Sequence, residues 1–286
     1  MRLNPFNTDK IRVRSGGGGG GMRRAGGVGC GTLVIALIGA VVFGLDPMQT
    51  IGVVEGVQQS APSQPRADVS EQELCTSGPY ATEACNALTS LNETWAPEFQ
   101  RAGIEFQDPL LTFYSGGVTT EGCGSASSAA GPFYCPADSG IYIDTNFYDV
   151  MARQLGASGD FARYYVMAHE YGHHIQNLTG LAAQVRSVQQ QNPRQANQLQ
   201  VRMELQADCY AGVWAGKNRN LIEPGDMQEG LRAASAIGDD TLQRNSTGRV
   251  NPESFTHGTS AQRVEALRLG LESADDTQCD RYFDFN

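Results

Sequence analysis

The chain has 286 residues, 40% of them hydrophobic, and a net charge of −10, which is enough apolar content for a sizeable core and excludes a disordered tail. Its charge is uneven: residues 1–24 carry six Arg or Lys against one Asp, leaving 15 basic and 30 acidic residues from 25 onward. A body at −15 is a poor partner for nucleic acid, so that class of function is set aside.

In chain order, residues 1–24 read as a basic, glycine-rich cytoplasmic tail, with the spacer Gly16 to Gly21 inside it. The uncharged run AGGVGCGTLVIALIGAVVFGL, residues 25–45, has the length of a membrane-spanning helix. Arg2, Lys10, Arg12, Arg14, Arg23 and Arg24 all precede it, so the positive-inside rule predicts a single-pass cell-membrane protein with its N-terminus in the cytoplasm and its body outside. A cleaved signal peptide is the competing reading. Residues 46–70, with QQSAPSQPRADVS, form an extended linker, and residues 71–286 form one domain.

Within that domain the apolar periodicity predicts helices near 81–100, 146–155, 160–178, 193–215, 226–237 and 260–273, and the alternation in GIYID predicts a strand over 140–144. Six body cysteines suit an oxidising compartment. Their separations suggest Cys75 with Cys85 and Cys123 with Cys135, which leaves Cys209 to join Cys279.

HEYGH places His169 and His173 four residues apart on one helical face, with Glu170 about 100° away. Two neutral imidazoles can then hold one Zn2+ per chain while the carboxylate serves as general base and not as a ligand. Gly172 inside the motif is unfavourable in a helix and calls for a close-packed neighbour. ELQAD supplies that neighbour, on a helix that Asn192 starts, Gln195 helps to cap and Gly216 closes. Glu204 is the expected third ligand, and Asp208, one turn on, is expected to orient a ligating histidine through its outer nitrogen. His174 falls off the metal face.

HEYGH followed by ELQAD resembles the Glu-zincin metallopeptidases, and THGTSAQRVEALRLG resembles the His-then-Arg segment of the membrane-bound M48 type. GPFYCPADSGIYID, GDFARYYVMAHEYGHHIQ, ELQADCYAGVWA and HGTSAQR together resemble the bacterial YpfJ-like neutral zinc metallopeptidase family. The resemblance implies an α+β, zincin-like metallopeptidase domain behind an N-terminal transmembrane helix, acting on a peptide or protein substrate. It further implies that His257 stabilises the transition state from the loop before a helix capped by Ser260, with Arg263 pairing to Asp208 or Glu204. An edge strand beside the active-site helix would pair with substrate, with Tyr142 and Asp144 lining the groove. Two other readings use the same ligands: a catalytically silent, zinc-stabilised extracytoplasmic binding module, and a zinc hydrolase of a non-peptide substrate.

Overall fold

A computed structural model describes residues 1–16 and 69–283, so the expected membrane span at 25–45 lies outside the described residues. Among the described residues no helix is long and apolar enough to cross a membrane. The architecture is α+β and helix-rich.

The first strand, β1 (Arg12–Ser15), belongs to the segment expected to be a tail. Residues 1–16 are instead part of the body: β1 pairs in parallel with β2 (Leu110–Phe113), in the register Arg12 to Leu110 through Ser15 to Phe113. The tail reading fails because a run of basic residues looks alike whether it meets a membrane or an acidic protein surface.

Between β1 and β2 come α1 (Glu71–Cys75) and the long α2 (Pro79–Ala102). Ser70 and Glu73 close a capping box that starts α1 where the domain was expected to begin. A short hairpin of β3 (Gly117–Thr119) and β4 (Ser125–Ser127) leads to β5 (Phe133–Cys135) and β6 (Gly140–Ile143). The main sheet runs β1-β2-β6-β5, with β5 antiparallel to β6 at the edge. Strand β6 is buried along its whole length, so the alternation in GIYID marks a strand but no solvent-facing side.

The helices that follow are α3 (Asn146–Gln154), α4 (Asp160–Leu178), α5 (Leu181–Gln191), α6 (Ala196–Lys217), α7 (Asp226–Ala236), α8 (Asp239–Thr247) and α9 (Ser260–Ser273). The core joins Leu88, Leu91 and Trp95 of α2, Leu111 and Ile141 of the sheet, Phe161, Tyr165 and Tyr171 of α4, and Val213 and Trp214 of α6.

Helix α4 crosses α6 at the position the sequence calls for. A Cβ on Gly172 would lie 2.7 Å from Ala207 Cα, so only glycine lets the two backbones meet there. The small residues further along α6 serve a different contact. A Cβ on Gly212 would meet Leu267 O at 2.1 Å and one on Gly270 would meet Cys209 O at 1.9 Å, which binds α6 to α9. Gly216 lies inside α6, packed toward Leu271, and does not end the helix. Residues 193–195 form a separate 3-10 turn before α6, which has no side-chain cap. Thr259, not Ser260, caps α9, in a box with Gln262, while the Ser260 hydroxyl donates to Ser235 O. The three expected disulfides are all formed: Cys75–Cys85 joins α1 to α2, Cys123–Cys135 ties the hairpin to β5, and Cys209–Cys279 fastens the C-terminal turn to α6.

Candidate metal centre

The crossing of α4 and α6 brings His169, His173 and Glu204 together, with ligand atoms all within 4.8 Å of one another. His169 Nε2 lies 3.1 Å from Glu204 Oε2, and His173 Nε2 lies 3.6 Å from Glu204 Oε1. Tetrahedral zinc with bonds of ~2.0 Å has donor-to-donor edges of ~3.3 Å, so these separations bracket what the ion requires. The donor set, two imidazoles and one carboxylate, is that of a three-ligand zinc site with room for a fourth. Residues present therefore fit the metal.

Each Nε2 is aimed inward because the opposite nitrogen is engaged. His169 Nδ1 donates to Asp208 Oδ1 at 2.8 Å. Asp208 is fully buried and is itself held by Arg263, whose Nε donates to Oδ2 at 2.7 Å and whose Nη2 donates to Oδ1 at 2.9 Å. Tyr165 adds a third donor, its hydroxyl reaching Asp208 Oδ1 at 2.6 Å. His173 Nδ1 donates to Gln176 Oε1 at 2.9 Å, and Gln176 is oriented by donating to Met203 O at 2.8 Å.

The electrostatics follow from this packing. Burial would raise Asp208, but the Arg263 guanidinium and His169 hold it down at about 2. Burial likewise opposes ionisation of Glu204, yet the charges of His173 and His257, with hydrogen bonds from both helix histidines, keep it well below the usual carboxylate range. Glu170 goes the other way: burial pushes its carboxyl up, against the opposing effect of His169 and His173. Among the described residues none hydrogen-bonds the Glu170 carboxylate, which leaves it available to a reacting group. His174 is wholly buried off the metal face, its Nε2 donating to Gln107 O at 2.7 Å and its Nδ1 accepting from Tyr134; burial lowers it to about 4. It is a packing residue between α4 and β5.

His257 sits buried in the loop before α9, near enough for its charge to act on Glu204. Asp239 fixes it: Oδ2 accepts the backbone N–H groups of Thr256, His257 and Gly258, while Oδ1 lies 3.2 Å from His257 Nδ1. The ring's Nε2 is thereby left for other work.

Tyr142 and Asp144 are not where they were expected. Tyr142 is on the central strand β6, fully buried, stacked on Phe133, with its hydroxyl bonded to Asp138 and to Arg14. Asp144 is buried and spent on Ser128 and on both Asn146 nitrogens at the start of α3. An alternating sequence does not say whether a strand is central or at an edge. The edge beside α4 is β5.

Four contributors escaped the sequence reading. Tyr165 is four residues before His169 and Gln176 three after His173, so helical spacing could have found both. Gln200, four before Glu204, donates to Glu204 Oε1 at 2.9 Å and was open to the same argument. Asp239 has no such signal, since it reaches His257 only through the fold.

The family described as "Putative neutral zinc metallopeptidase" matches residues 5–282. The chain belongs to that family. It is 45% identical to the uncharacterized protein YpfJ of Escherichia coli K12, over 96% of this chain and 95% of the relative. It is 44% identical to an uncharacterized protein of Mycobacterium bovis, over 68% of this chain and 67% of the relative. No solved structure matches it.

Proposed function

We propose that the chain is a membrane-associated, zincin-like peptidase that uses one zinc held by His169, His173 and Glu204. The observation that carries the reading is the convergence of these donors at tetrahedral spacing, with the buried, unpartnered carboxylate of Glu170 on the next residue of the same helix. A zinc ion there supplies Lewis acidity, lowering the pKa of water and polarising a carbonyl. Glu170, its pKa raised by burial, accepts the proton of the attacking water and returns it to the leaving amine. Asp208 and Gln176 keep the two imidazoles in the tautomer that presents Nε2. The outer edge of β5, packed on α4 through Tyr134 and His174, offers backbone groups to an extended peptide. The three disulfides support a body in an oxidising compartment, and the uncharged run 25–45 supports contact with a bilayer.

Casein incubated with the full chain should be cleaved, with cleavage lost on adding a zinc chelator and restored by zinc. Zinc-loaded protein that leaves both casein and short peptides intact would return the silent module or the non-peptide hydrolase.

His257 is assigned the oxyanion. With Nδ1 held by Asp239, Nε2 is the ring atom left to meet the negative charge that develops, and it would donate to that charge when it carries a proton. His257→Ala should keep its zinc and lower kcat by about 10²-fold or more with little change in KM. Loss of zinc in that variant would make His257 a ligand, and unchanged kinetics would remove it from the mechanism.

A further inference from the structure

We propose that residues 1–16 remain docked on the body, so that this segment and residues 69–283 occupy the same side of any membrane the chain meets. Four kinds of contact carry this. Strand β1 extends the sheet along four residues of β2, and Gly16 N–H donates to Phe113 O at 2.6 Å. Ile11 and Val13 are 4% and 6% exposed within the main core. Phe6 N–H donates to Asn86 Oδ1 and Val13 N–H to Glu71 Oε1, at 2.8 and 2.9 Å.

The fourth contact answers the charge argument for a cytoplasmic tail. Arg2 lies 2.7 Å from Glu223, Lys10 lies 2.7 Å from Glu93, and Arg14 lies 3.2 Å from Glu121. Arg12 donates to Asp108 O at 3.2 Å. Four of the six positive charges that the positive-inside rule counts are thus placed against the acidic body. Their pattern is complementary to this protein's own surface, and the orientation drawn from them no longer follows.

Carrying the segment to the opposite side would break the β1 ladder and open the edge of β2. It would also disturb the metal-binding helix. Asn92 of α2 donates to Lys10 O at 2.8 Å and accepts from the hydroxyl of Tyr171, inside HEYGH, at 2.8 Å. The docked segment is therefore part of the frame that holds α4.

The test uses the full chain with Cys30→Ala, carrying either Asn4→Cys or Gln190→Cys, both at exposed positions. Intact bacterial cells are treated with a membrane-impermeant maleimide, then lysed and labelled with a second maleimide. The proposal expects the two positions to behave alike, both labelled from outside or both protected. Labelling of one with protection of the other overturns it. Hydrogen exchange of the purified full chain gives a second check: the Val13 and Gly16 amides should be protected about 10²-fold or more, and exchange at the rate of an unstructured peptide contradicts docking. Neither readout depends on whether the metal site hydrolyses anything.

Discussion

Glu170→Gln is expected to retain about one zinc per chain and to lose about 10³-fold or more in kcat. The amide keeps the shape and burial of the carboxylate but cannot take a proton from water. Glu170 is not among the three converging donors, so the metal should be held as tightly as before. Metal analysis and casein kinetics on the same preparation check this. Zinc loss comparable to that of His173→Ala would make Glu170 a ligand, and near-normal turnover would remove the base from the mechanism.

Arg263→Leu is expected to cost roughly 3–5 kcal/mol of stability, because it leaves the buried Asp208 carboxylate without its counter-charge. Arg263 is 1% exposed and Asp208 is fully buried, so solvent cannot take the place of the lost guanidinium. The same change loosens the grip on His169 Nδ1 and should weaken zinc binding by about 10–100-fold. Urea unfolding in the presence of chelator separates the two effects. A double variant, Asp208→Asn with Arg263→Leu, should lose clearly less than the two single losses added together, since the unpaired charge has gone. Additive losses would show that Arg263 contributes by packing alone.

Much of this site was legible before the fold because its parts are helical. The spacing of His169 and His173, and of Glu204 and Asp208, is the spacing of one helical turn, and Gly172 marked the crossing that unites them. What could not be read depends on which surfaces meet. Asp239 reaches His257 through a loop, and nothing near either residue announces the pair. The resemblance implies an edge strand lined by Tyr142, and the alternation in GIYID, which reveals a strand but not its neighbours, could not show that two strands flank β6. The N-terminal basic residues satisfy a membrane rule and an acidic surface equally well, and the pairing of β1 with β2 and the packing of Ile11 and Val13 are what distinguish them. A practical consequence is that a chain begun at residue 46 would lack β1, so the full chain is the form to purify.

The zinc content of the full chain and of Glu204→Ala, after dialysis against a weak chelator, tests the account most directly. Wild type should hold about one zinc per chain. Glu204→Ala should hold almost none, because Glu204 alone brings α6 into a site whose other donors lie on α4. Equal zinc in the two proteins would contradict the three-ligand centre, and wild type that takes up no zinc would contradict the account as a whole.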